Sequence, residues 1–178
     1  MNGQWAGAKA STERALELNP SSADTLNWAA GNMSYLGEPE RGAEMCDRSL
    51  QLNPSPPYWY NIDCPENYFF VGRYAEAVDA VDRFRARAVS PSGYLVYRAA
   101  SLAELWRTKE ATAAVEELGQ LDPTMSLEMF LNTNLFARDQ EKEAILASAR
   151  KASVRVCAEA GELSFLPSPT RLPECLTG

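Results

Sequence analysis

Four helical segments of this chain end on proline, and their spacing constrains the fold more than any other feature. ALELNP closes at Pro20 and SLQLNP at Pro54, 34 residues later, and RARAVSP and LGQLDP follow at Pro91 and Pro123. Small residues keep the same step, with Ala8, Gly42, Ala77 and Ala111 separated by 34, 35 and 34 positions. Paired helices repeating at that period stack into a solenoid, where each repeat buries its apolar face against its neighbours rather than around one central core.

The second repeat is the clearest. ADTLNWAAGNMSYLG carries Leu26, Ala29, Ala30 and Met33 on one face, the i, i+3, i+4, i+7 stripe of a half-buried helix. Ser22 is placed to cap its start, and Gly37 ends it where a left-handed residue is wanted. Pro39 opens the next helix, PERGAEMCDRSLQL, at a position that needs no N–H. That helix turns Gly42, Cys46 and Ser49 toward its partner, with Gly42 at the closest approach of the two backbones.

Leu26, Ala29, Ala30, Met33, Gly37, Gly42, Ser49 and Pro54 occupy sites that resemble the tetratricopeptide consensus. So do Tyr68, Gly72, Tyr74, Ala77, Val81 and Phe84 in the third repeat, and Leu95, Ala99, Leu102, Ala111, Val115, Leu118 and Pro123 in the fourth. The resemblance implies an all-α, right-handed helix-pair solenoid with a degenerate C-terminal cap. It would span 1–152, as a half repeat 4–20, repeats 22–55, 57–90 and 91–123 and capping helices 125–152, before a proline-rich tail 153–178. Two irregularities are expected. Trp106 replaces the glycine between the fourth pair of helices, so that turn should differ. Pro65 interrupts the third A helix, so the chain should break near Asn61–Pro65, with Asp63 capping a short helix Pro65–Val71 after an extended Pro56–Pro57 entry. The first segment, around Trp5 and Ala8, is a B helix without an A helix before it; the expectation is a fragment of a longer protein, or a second copy covering this face.

LNPSPPYWY, YFFVGRYAEAV, SLEMFLNTNLFARDQEKEAILASARKA and a tail ending RLPEC are together similar to the C-terminal repeat region of bacterial class III adenylate cyclases, with Ser153 where that region has glycine. This implies a bacterial regulatory or scaffolding segment. The paired aspartates of a cyclase catalytic domain are absent from the sequence.

Chemistry is sparse. The chain has no histidine and no phosphate-binding glycine loop, so histidine-activated nucleophiles are excluded. Asp79 with Asp82 and Glu116 with Glu117 fall on solvated helix faces, and Asp63 with Glu66 is the remaining carboxylate pair. No enzyme activity, metal or cofactor is expected. A net charge of −7 argues against nucleic acid, and no apolar run reaches the ~20 residues of a membrane span. The start of the chain lacks a signal-peptide pattern, so a cytoplasmic location is expected. In that setting Cys46 and Cys64 would be buried thiols on core positions. Cys157 and Cys175 bracket the tail and could be bridged, but free thiols are expected.

What remains is the groove lined by A helices. The family resemblance carries its ligand contacts onto Asn27, Gly31, Ser34 and Tyr35, then Glu66, Phe69 and Phe70, then Val96, Ala100, Ala103 and Glu104. The lysine, arginine and asparagine clamp of chaperone-binding relatives is missing. A protein or peptide partner, an amphipathic helix above all, suits this mildly aromatic groove, with Tyr35 and Phe70 as anchors. Homodimerisation through the unpaired first helix is the alternative.

Overall fold

In the computed structural model, residues 3–62, 64–85, 92–159 and 161–176 are described. Among them there is no strand, and the helices alternate as the period requires: α1 Gly3–Leu18, α2 Ala23–Tyr35, α3 Pro39–Leu52, α4 Cys64–Phe70, α5 Tyr74–Arg85, α6 Ser92–Glu104, α7 Thr108–Leu121, α8 Leu127–Thr133 and α9 Asp139–Lys151. They fall into two compact units, 1–89 and 90–178. Asp63 and the 86–91 end of RARAVSP lie outside the described residues.

Local signals set the helix ends. The Ser22 hydroxyl accepts the Thr25 N–H and starts α2. Gly37 and Gly72, both at φ +76°, end α2 and α4. At Gly37 the N–H donates to Ser34 O and the next N–H to Met33 O; at Gly72 the pair is Phe69 O and Tyr68 O. Trp106 makes the same turn at φ +59°, its N–H donating to Ala103 O and that of Arg107 to Leu102 O. The expected difference at Trp106 is therefore absent. Two inward hydrogen bonds satisfy the helix end and hold a side chain in a conformation that costs ~1 kcal/mol or more. Ser153 repeats the arrangement after α9 at φ +68°.

In unit 1, Tyr58–Asn61 forms a 3-10 turn after an extended Pro57, and α4 begins at Cys64 with Pro65 in its first turn. Gly42 faces a neighbour other than the expected one. A Cβ there would lie 2.0 Å from Oδ1 of Asn67, on α4 of the following repeat, rather than against its own partner helix. Asn67 is fully buried and donates to Ala30 O at 2.9 Å, so it has no room to yield. Gly42→Ala is therefore expected to destabilise unit 1 by about 1–3 kcal/mol, read as a lowered denaturant midpoint with unchanged slope. The same unit is tied by Arg73, which pairs with Asp47 at 2.6 Å and lies over the Tyr68 ring, whose hydroxyl also donates to Asp47.

All four cysteines are bridged, Cys46 to Cys64 and Cys157 to Cys175, each pair 18 residues apart. This corrects the free-thiol expectation. The first bridge sits in the core between α3 and α4, where both residues are buried.

In unit 2 the tail packs against the helices. The Leu127 and Glu128 N–H groups donate to Arg155 O and Val156 O, and Val154, Ala158, Leu163 and Leu172 are buried. The Glu128 carboxylate, itself 0% exposed, accepts from the Leu172 N–H, Arg171 Nε and the Ala158 N–H.

Candidate functional site

The residues expected to line the groove are mostly internal. Asn27 is buried and donates to Tyr60 O at 2.9 Å; Gly31 is buried; Ser34 is buried and donates to Glu66, which is also buried. These contacts join α2 to the third repeat. Phe69 is turned inward, with its ring 5.4 Å from that of Tyr74.

In unit 2, Val96, Ala100 and Ala103 are buried, because the chain's own C-terminal helices cover α6. Phe130 of α8 meets Tyr97 edge-on at 5.5 Å, and Lys151 of α9 pairs with Glu104 at 3.1 Å. Burial would raise the Glu104 pKa, but hydrogen bonds from Ser148 and Lys151 outweigh it and hold the carboxyl below its ordinary value. Tyr35, Phe70 and Glu104 alone of the eleven keep substantial exposed surface.

An open pocket of about 350 Å³ instead lies in unit 1 between α1 and α2. Ser11, Thr12 and Ala15 line it from α1; Asp24, Thr25, Trp28, Ala29 and Asn32 line it from α2. Trp28 is 62% exposed and stacks on Trp59 with ring centroids 5.5 Å apart. Trp59 in turn lies 4.5 Å from the Tyr60 ring, and the Tyr60 hydroxyl is hydrogen-bonded to Asp24. Asn32 donates to the Thr12 hydroxyl at 3.1 Å. The result is an apolar cleft beside an aromatic stack, with one amide–hydroxyl pair among its lining residues. Sequence reasoning passed over Trp28. Its signal was a large apolar residue off the Leu26–Ala29–Ala30–Met33 packing stripe of its own helix.

Among the described residues no group of three or more cysteine and carboxylate side chains is placed to hold a metal. Asp79 and Glu116 are exposed and Asp82 and Glu117 half-exposed, on separate helices.

No protein-family model matches the sequence, and no curated protein matches it. Solved structures do. A crystal structure of MamA aligns with a TM-score of 0.59 at 15% identity, covering 85% of this chain and 88% of its own. MamA AMB-1 aligns at 0.60 with 20% identity, over 85% and 88%. MamA 41-end from Desulfovibrio magneticus RS-1 aligns at 0.60 with 14% identity, over 93% and 89%. The fold is a tetratricopeptide-like helical repeat. At these identities the likeness is one of fold alone.

Proposed function

We propose that this chain is a protein-interaction module that docks a partner on the α1–α2 side of unit 1. Exposed Trp28, which lines the open pocket and stacks on half-buried Trp59, carries this reading. Aromatic side chains beside a concave apolar surface are typical binding anchors, each commonly worth ~2 kcal/mol or more. Tyr35 and Phe70, the anchors inferred from the sequence, form a second candidate patch. The experiment is a selection of displayed peptides on the wild-type protein, repeated on Trp28→Ala and on Tyr35→Ala/Phe70→Ala. Trp28→Ala is expected to weaken selected binders at least tenfold with unchanged helicity. If only the double variant loses them, the site moves to Tyr35 and Phe70; if neither does, this reading fails.

Self-association is a second reading, favoured by the exposed Ala6, Ala8 and Ala10 of α1. A chain that sediments as a monomer across a hundredfold concentration range removes it. Nothing in the comparisons supports the cyclase context implied by the sequence resemblance. No helix among the described residues is long and apolar enough to cross a membrane. The two disulfides favour an oxidising compartment over the cytoplasm expected from the sequence.

A further inference from the structure

We infer that the Cys157–Cys175 bridge is a redox-active site for an external dithiol, and that its reduction releases residues 170–175 from α8 while the helices of unit 2 stay folded. The inference is independent of where a partner docks on unit 1.

The two bridges are unequal. Cys46 and Cys64 are 0% and 1% exposed between α3 and α4, out of reach of a second thiol. Cys157 and Cys175 are each half-buried, so an attacking thiolate can approach them. A thiolate of the dithiol attacks one sulfur of the bridge, forming a mixed disulfide and expelling the other cysteine as a thiolate that takes up a proton. The second thiol of the dithiol then loses its proton and attacks its own sulfur in the mixed disulfide, which frees the remaining cysteine as a thiolate, again protonated. The bridge gains two electrons and two protons, and the dithiol gives up the same and leaves as a disulfide.

Residues 170–175 are held by little besides that bridge and two side chains of α8. Only Leu172 among them is buried. The Asn132 side chain donates to Thr170 O at 2.9 Å and accepts the Thr170 N–H at 2.8 Å, both on exposed surface. Glu128 Oε1 accepts the Leu172 N–H and Arg171 Nε, each at 2.8 Å. Arg150 pairs with Glu174 at 2.6 Å, but both side chains are more than a third exposed, and such surface pairs contribute little. The Cys175 N–H donates to Leu172 O within the stretch itself, so its departure takes no backbone hydrogen bond from a helix.

The start of α8 has separate support from the chain before the bridge. The Leu127 and Glu128 N–H groups donate to Arg155 O and Val156 O, and the Ser126 hydroxyl accepts the Met129 N–H. Glu128 is divided between the two sides. Its Oε2 accepts the N–H of Ala158, next to Cys157, while its Oε1 holds the stretch that leaves. Opening therefore bares Glu128 and Asn132, one turn apart on α8, a carboxylate and an amide that in the closed form bind an extended backbone. Loss of a cross-link over 18 residues should raise the open population on the order of a hundredfold.

The test uses the whole chain, with reduced thioredoxin as the dithiol under native conditions. Alkylation and peptide mapping should find two thiols, Cys157 and Cys175, with helicity unchanged. Amide exchange at Thr170 and Leu172 should accelerate on the order of a hundredfold on reduction, to at least tenfold faster than at Phe130 of α8. Reoxidation with glutathione disulfide should restore the slow rates. Cys175→Ser should exchange fast with or without thioredoxin; if that variant does not fold, the wild-type measurements decide alone. No thiol after thioredoxin treatment, or all four cysteines alkylated, overturns the inference. Unchanged exchange at Thr170 and Leu172 in the reduced chain would show that Glu128 and Asn132 hold the stretch without the bridge, and also overturns it. Equal rates at Leu172 and Phe130 would mean that unit 2 opens as a whole, which makes the bridge a staple and not a switch.

Discussion

Glu128→Ala is expected to lower the stability of unit 2 by about 3 kcal/mol, a fall of roughly 12–24 °C in the Tm of a unit of that size. The carboxylate is fully buried and is the acceptor for two backbone N–H groups, of Leu172 and Ala158, at 2.8 and 2.9 Å, and for Arg171 Nε at 2.8 Å. Truncation leaves the two backbone donors without an acceptor in a place water does not reach. Each buried donor left unmet costs about 1–3 kcal/mol, and the half-buried guanidinium loses its counter-charge as well.

The pH dependence follows from the same contacts. Burial pushes the Glu128 carboxyl up, but the Leu172 N–H, Arg171 and the Ala158 N–H outweigh it and hold the group below its ordinary value. A depressed folded-state pKa means that this contribution is complete above the unfolded value of about 4.5 and disappears as pH falls through the folded value. Thermal melts between pH 7 and pH 3 should therefore steepen on the acid side for wild type and flatten for Glu128→Gln. Hydrogen exchange at the Ala158 and Leu172 amides supplies the local readout. A Tm within a degree of wild type in Glu128→Ala would show that the tail is held by something else.

The second large effect concerns the disulfides. Each closes an 18-residue interval, and loss of a cross-link over a loop of that size costs about 3 kcal/mol. Cys46→Ala/Cys64→Ala should lower unit 1 and Cys157→Ala/Cys175→Ala unit 2, each by about that amount. Cys46 and Cys64 are buried while Cys157 and Cys175 are half-exposed, so mild reductant should open the second bridge first in the folded protein. Thiol titration checks this directly. No free thiol is expected in the native chain, two after mild reduction, and four in denaturant with reductant. Four thiols titrating in the folded, unreduced protein would refute the pairing and return the chain to a reducing compartment.

Much of the local structure was legible because its causes act within one turn of chain. Ser22, Gly37 and Pro39 bound α2 and α3 where the sequence places them, and Pro65 limits α4 to seven residues. The 34-residue step recovers the helix pairs because identical faces must repeat for neighbours to stack. Even Trp106, out of place by residue type, keeps the turn, since two backbone hydrogen bonds outweigh the strain of one left-handed residue.

The candidate site was less legible, because exposure depends on which distant helix lies over a given face. Asn27, Ser34 and Glu66 read as surface polar residues until α4 crosses α2 and they bond to one another's segments. Val96 and Ala100 read as groove until α9 packs over α6 and Phe130 of α8 meets Tyr97. Gly42 needed its freedom for a neighbour from the next repeat, and Cys46 met Cys64 for the same reason: α4 packs across α3. The period, the caps and the apolar stripes determined where the helices are. Tertiary packing alone decided which faces remain open, and it left open the side of α2 that carries Trp28.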